Sequence, residues 1–175
     1  MALSRRAFLA TGVLASLALA AGGGIYRFTH ASPQAGRFVL DGEARAVIDA
    51  IVPAMLDGAL PPAGAARQAA IAAATDRTHQ AILGLPLATQ KEIQDLFGLL
   101  ALAPARRFLA GVTTDWPSAT TLQVGAFLQD WRTHRFATLQ VAYHALHDLV
   151  MGGWYADPSA WAAIGYPGPN RELSA

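Results

Sequence analysis

Apolar side chains recur every three or four residues through most of this chain, and that spacing limits the possible folds more than any other feature. The first such run follows Asp41, a residue suited to capping a helix, and comprises Ala44, Val47, Ile48, Ile51, Val52, Met55 and Leu56. This spacing places apolar side chains on one face of an α-helix. No segment shows the sustained alternation of a half-buried strand. The sequence therefore predicts an all-α fold.

Prolines, glycines and capping residues divide the pattern into about five helices. Pro53 predicts a kink or an end of the first helix near Val52, because proline removes a backbone hydrogen-bond donor. Thr89 begins T-Q-K-E, a capping box that predicts the start of the third helix. The last helix is predicted to end at a left-handed cap formed by Gly152-Gly153. The stripe of the last helix is predicted to continue without a break through Leu122, Phe127, Leu128, Trp131, Phe136, Leu139, Tyr143, Leu146 and Val150. Residues 38–152 thus form the predicted helical domain.

Residues 1–31 resemble an export signal. Arg5 and Arg6 precede an uncharged run over residues 7–26, and SRRAFL, with Phe8 and Leu9, matches the twin-arginine type. Small residues before Ser32 favour cleavage there. The alternative is a retained anchor, because a helix of twenty residues is roughly 30 Å long and spans a bilayer. A core helix at this place is the least favoured interpretation.

Composition excludes several functions. The chain has no cysteine, which rules out disulfides, iron–sulfur clusters, c-type haem and thiolate metal sites. The net charge is +1 and the arginines are spread along the sequence, so no nucleic-acid partner is predicted. With 53% hydrophobic and only 14% charged residues, part of the surface is expected to be covered by a partner.

Catalytic motifs are lacking in the sequence. It contains neither a G-x-S-x-G elbow nor a phosphate-binding glycine loop. His144, His147 and Asp148 share a helix at spacings that can hold a metal, but H-E-x-x-H and a third well-placed ligand are missing. These three residues are weak metal candidates, and polar contacts or a partner interface are favoured for them. We predict no catalytic, cofactor-binding or metal residue in this chain.

The end of the chain, residues 153–175, is predicted to be an extended tail. Its large aromatic and proline residues are Trp154, Tyr155, Pro158, Trp161, Tyr166, Pro167 and Pro169. Aromatic side chains anchor interfaces, and a stiff backbone loses little entropy on docking. Two interpretations stay open: the tail docks on a partner, or it folds back into a groove of its own bundle. The low charge content favours docking.

Three stretches resemble a known family, the small subunit of membrane-associated flavin dehydrogenases named for gluconate 2-dehydrogenase subunit 3. They are SRRAFL, AVIDAIVPAML and the ending GGWYADPSAWAAIGYPGP, whereas residues 60–125 share only helical character. The ending resembles the family pattern of an aromatic pair, Asp-Pro, a Trp and Gly-Tyr-Pro-Gly-Pro. The resemblance thereby adds Asp157, Gly165 and Gly168 to the expected docking residues.

This resemblance implies an accessory subunit without a cofactor of its own. Its expected partner is a large FAD-containing subunit of the glucose–methanol–choline (GMC) type, in some complexes joined by a cytochrome c subunit. The small subunit is expected to assist folding, stability and export of that partner through the twin-arginine translocase, giving a periplasmic complex peripheral to the inner membrane. The alternatives are a free-standing periplasmic metal-binding protein or enzyme that uses His144, His147 and Asp148, and a membrane-anchored scaffold.

Overall fold

A computed structural model describes residues 37–168, and within them it confirms the all-α prediction. This part of the chain holds six α-helices and no strand: α1 (Gly42–Met55), α2 (Ala65–Leu83), α3 (Leu87–Ala101), α4 (Ala103–Leu109), α5 (Thr121–Thr133) and α6 (Ala137–Tyr155). Single 3₁₀ turns span Trp116–Ser118, Pro158–Ala160 and Ala162–Ile164. The predicted export signal, with Arg5, Arg6, Phe8 and Leu9, lies outside the described residues, as does Pro169.

Helix α1 forms the centre of the bundle and contacts α2, α3, α5 and α6. Asp41 caps it as predicted, since its Oδ1 accepts a hydrogen bond of 2.8 Å from the backbone N–H of Ala44. Of the two outcomes predicted for Pro53, a kink or an end near Val52, the end is wrong, because α1 continues through Pro53 to Met55. Val52 and Leu56 on either side of this proline are buried in the core. Burial on the core face therefore outweighs the backbone hydrogen bond that proline removes.

The capping box predicted at Thr89 is also wrong, because α3 already begins at Leu87. The buried side chain of Gln90 ties three backbone groups together instead. Its Oε1 accepts from the N–H of Phe38 at 2.9 Å, and its Nε2 donates to the carbonyls of Leu83 and Leu85 at 3.1 and 2.8 Å. Gln90 thus joins the end of α2 to the segment before α1.

Two residues predicted to face the core lie on the surface. Leu122 is 84% exposed and Phe136 is 55% exposed. Leu122 is only the second residue of α5, and Val124 occupies the first core position of this helix. Phe136 precedes the first turn of α6 and acts as its N-cap. The rest of the α5 stripe, Phe127, Leu128 and Trp131, is buried as predicted.

Helices α2 and α6 pack against each other where Gly153 of α6 lies beside α2. Gly153 lies inside α6, which runs on to Tyr155, so the predicted cap at Gly152-Gly153 is wrong. A Cβ at Gly153 would lie 3.3 Å from the backbone carbon and Cβ of Arg77 and from the N atom of Thr78. The missing side chain therefore allows the two helices to approach each other closely.

Candidate functional site

Residues 156–168, which we name the C-terminal segment, are folded rather than extended as predicted. Trp154 and Tyr155 belong to the last turn of α6, and two 3₁₀ turns follow at Pro158–Ala160 and Ala162–Ile164. Asp157 caps the first of these turns by accepting a 2.8 Å hydrogen bond from the N–H of Ser159. Pro158 follows at the first position of the turn, where its missing N–H costs nothing. Local capping thus orders a stretch whose prolines had suggested an extended chain.

Trp161 organises the C-terminal segment. Its indole Nε1 donates to the carbonyl of Tyr155 at 2.7 Å, and its own carbonyl accepts from the N–H of Tyr166 at 3.0 Å. The ring of Tyr166 meets the indole edge to face, with 5.2 Å between the ring centroids. Such aromatic pairs stabilise by about 0.5–1.5 kcal/mol beyond their buried area. Much of the predicted docking area of Trp161 is therefore used within the chain itself.

Two glycines let the segment wrap around this indole. Gly165 has a φ of +68°, the left-handed conformation that turns the chain so that Tyr166 returns to Trp161. Gly168 has a φ of +98°, and a Cβ there would lie 3.2 Å from Cζ3 of Trp161. Both glycines were predicted to contact a partner. In the structure they shape the segment that carries the exposed side chains.

An ion pair fastens the segment to the bundle. Arg77 on α2 donates from Nη2 to Oδ2 of Asp157, and the two side chains are 34% and 24% exposed. The pKa of Asp157 is lowered, first by the backbone N–H of Ser159, then by the Ser159 side chain, and further by the charge and hydrogen bond of Arg77. Arg77 is also the residue that Gly153 contacts. The close α2–α6 contact therefore lies beside the ion pair that holds the segment.

The segment presents an exposed apolar edge. Ile164 is 55% exposed and Tyr166 is 45% exposed, and Pro167 beside them is exposed too. Trp154 is partly buried and packs against the core, so it is less available to a partner. The sequence had offered no argument for Ile164 or for the anchoring Arg77. Ile164 could have been found as the one large aliphatic residue between Trp161 and Tyr166.

His144, His147 and Asp148 are not brought together as a metal site. Nδ1 of His147 lies 3.0 Å from Oδ1 of Asp148, whereas the rings of His144 and His147 both contact Tyr143, at centroid distances of 5.2 and 5.8 Å. Within residues 37–168, no three histidine, aspartate or glutamate side chains are grouped so that they could hold a metal ion. What these three residues form is a polar and aromatic surface patch on α6.

No protein-family model, curated protein or solved structure matches this chain. Among the helices that the structure describes, none is both long and apolar enough to cross a bilayer. The function is therefore inferred from the residues and contacts above and from the resemblance of the three sequence stretches.

Proposed function

We propose that this chain is a non-catalytic accessory subunit that docks on a larger catalytic protein through its C-terminal segment. The observation that supports this proposal is the exposed edge formed by Ile164 and Tyr166 on a segment that is already folded around Trp161. Apolar and aromatic side chains of this kind anchor protein interfaces. A segment that is ordered before binding loses little conformational entropy when it docks.

The nature of the partner is proposed from the sequence resemblance. A large FAD-containing dehydrogenase of the GMC type, in some complexes joined by a cytochrome c subunit, is the partner that the resemblance implies. FAD is then held by that partner and not by this chain. The twin-arginine signal expected at residues 1–31 would carry both proteins, folded, to the periplasm, where the complex lies peripheral to the inner membrane.

The contacts of the segment divide the proposed docking residues into two kinds. Tyr166 and Pro167, together with Ile164, face outward and would contact the partner. Asp157, Trp161, Gly165 and Gly168 hold the segment in shape and would act on docking indirectly. Substitution in the first group should weaken binding and leave the segment folded. Substitution in the second group should change the segment itself.

Co-purification of the chain with its partner, expressed from the native operon, tests the docking proposal. We expect the double substitution Ile164→Ala and Tyr166→Ala to leave the helical signal in circular dichroism unchanged and to remove the second protein and its flavin absorbance from the eluate. The matched control is Leu87→Ala with Leu122→Ala, which trims two apolar side chains on the bundle that are at least as exposed as Ile164 and Tyr166. Retention of the partner by the first variant, or its loss from the control, would refute docking through this edge.

The export part of the proposal has its own test. Arg5→Lys with Arg6→Lys should leave both this chain and the large subunit in the cytoplasm, because the paired arginines are the determinant of twin-arginine export. Cell fractionation followed by immunoblotting of both proteins measures the outcome. Appearance of the large subunit in the periplasm of this variant would contradict the carrier role while leaving the docking proposal intact.

A further inference from the structure

Helices α4 and α5 end side by side. The carbonyl of Leu109, the last residue of α4, accepts a 2.8 Å hydrogen bond from the indole Nε1 of Trp131 in the last turn of α5. Both last turns carry arginine, and the α5–α6 connection adds one more. The structure thus collects at one end of the bundle residues that are far apart in the sequence. We name this set the basic end: Arg106, Arg107, Phe108, Arg132, Arg135 and Phe136.

The arginines of the basic end differ in their pairing from other cations of the bundle. Elsewhere in the bundle Arg45, Arg77 and Lys91 each pair with an aspartate. None of the four arginines at the basic end makes an ion pair within residues 37–168. This part of the chain carries nine basic and eleven acidic residues, so the basic end is a positive region on a bundle of net negative formal charge.

Helix stability explains only some of these arginines. A cation in the last turn of a helix is favourable, which accounts for Arg106, Arg107 and Arg132. Arg135 lies instead just before the N-terminus of α6, where the helix dipole disfavours positive charge. Its guanidinium carbon lies 4.7 Å from the ring centroid of the exposed Phe136, within the range of a cation–π contact.

Two phenylalanines at the basic end expose their rings. Phe108 is 88% exposed and Phe136 is 55% exposed. Each lies directly beside an arginine in the sequence, in RRF and HRF. An arginine guanidinium can donate two parallel hydrogen bonds to one phosphate, and phenylalanine is among the residues that interfacial helices bury at the boundary between headgroups and acyl chains. A membrane surface with anionic headgroups offers both partners in adjacent layers.

From these observations we propose that the basic end binds the surface of an anionic lipid membrane. Phe108 and Phe136 enter the headgroup layer, and the four arginines contact lipid phosphates. This membrane contact belongs to the chain itself and does not depend on its docking to a dehydrogenase.

A fluorescent label read at two sites tests the proposal on the full chain. Since the chain lacks cysteine, Ala137→Cys and Thr121→Cys each accept one polarity-sensitive label. Both residues are exposed first residues of helices, but Ala137 lies beside Phe136 and Thr121 lies at the opposite end of α5. Both proteins keep the uncharged run at residues 7–26, so any lipid binding by that run is common to both.

With vesicles of phosphatidylcholine and phosphatidylglycerol, the emission maximum of the label at residue 137 should shift to shorter wavelength, and that of the label at residue 121 should stay unchanged. Arg132→Gln with Arg135→Gln should lower the ratio of lipid-contacting to water-exposed label at 137 by about 25-fold, because each basic residue near an anionic surface contributes roughly fivefold. Added salt should have the same effect. Circular dichroism checks that the variants stay helical.

Three results would overturn the proposal. Equal emission shifts at residues 137 and 121 would show that the basic end does not contact the lipid in preference to the opposite end of α5. The same shift with pure phosphatidylcholine would remove the role of the arginines. A shift at 137 with polyglutamate but none with phosphatidylglycerol vesicles would assign the basic end to an acidic protein partner instead.

Discussion

Adding one methyl group at each of two neighbouring glycines of α6 should change stability in opposite directions. A Cβ at Gly152 would meet nothing within 4 Å, so Gly152→Ala should gain helix propensity and stabilise the fold by about 0.5–1 kcal/mol. A Cβ at Gly153 would lie 3.3 Å from three atoms of Arg77 and Thr78, two of them in the backbone of α2. Because a backbone cannot rotate away, α2 and α6 must separate by a few tenths of an ångström, and overpacking of this kind costs about 1–3 kcal/mol.

We therefore expect Gly153→Ala to be less stable than Gly152→Ala by roughly 1–3 kcal/mol, although both gain the same helix propensity. Urea denaturation followed by circular dichroism at 222 nm measures both values, and an unchanged slope would show that the unfolded states are comparable. Equal stabilisation by the two substitutions would refute the close α2–α6 contact. Gly153→Ala should also weaken the Arg77–Asp157 ion pair, since Arg77 is the residue displaced.

Three further predictions concern single side chains. Trp161→Ala should leave the helices intact but unfold the C-terminal segment, which hydrogen exchange would detect as faster exchange of the Tyr166 amide. The control Phe136→Ala should leave that amide protected. Protection of the Tyr166 amide in Trp161→Ala would contradict the organising role of Trp161. Because the folded-state pKa of Asp157 is lowered, its contribution to stability is present above the usual carboxyl range and is lost as pH falls through that lowered pKa, below 3.8. Asp157→Asn should thus be less stable than the wild type at pH 7 and approach it in acid, and a constant difference between pH 7 and 3 would be inconsistent with this linkage. Gln90→Leu should destabilise the fold by about 1–3 kcal/mol in urea titrations, because it leaves the N–H of Phe38 and the carbonyls of Leu83 and Leu85 without their partner. The control Gln94→Ala should cost less, because its partner Val39 is exposed. Equal losses of stability would argue against the buried network.

Periodicity in the sequence was enough to predict the all-α fold, because spacing of three and four depends only on which face of each helix is buried. The Asp41 cap was predictable for the same reason, since its hydrogen bond reaches only to Ala44. Periodicity did not predict the break at residues 134–136, which divides the last predicted helix into α5 and α6. Helix caps were predicted wrongly where a contact with a distant residue determines the role of the local sequence. Gly153 has the sequence of a helix cap, yet Arg77 on another helix makes it a packing contact. Likewise, Thr89 begins a capping box, but contacts of Gln90 with Phe38 and Leu83 place it inside the helix.

The candidate site was predictable in its location and not in its form. Aromatic, proline and glycine residues directed the prediction to the end of the chain, where the structure exposes Ile164 and Tyr166, and docking there stays a prediction. Their composition suggested an extended tail, because the contacts of Trp161 with Tyr155 and Tyr166 depend on the left-handed turn at Gly165. The basic end was not predicted, since Arg106 and Arg107 lie about 25 residues before Arg132 and Arg135 in the sequence, and the Leu109–Trp131 hydrogen bond joins their helices only in the fold.

The contact between α2 and α6 can form only after nearly the whole chain has been synthesised. Helix α2 packs on α6, with Arg77 and Thr78 beside Gly153, and α6 leaves the ribosome about 60 residues later than this part of α2. Arg77 at this contact pairs with Asp157, so the ion pair that fastens the C-terminal segment to the bundle forms only after α2 and α6 have met. A partner that recognises the exposed edge of this segment would bind finished chains and pass over truncated or misfolded ones. Docking would then serve as a proofreading step before the two proteins travel together.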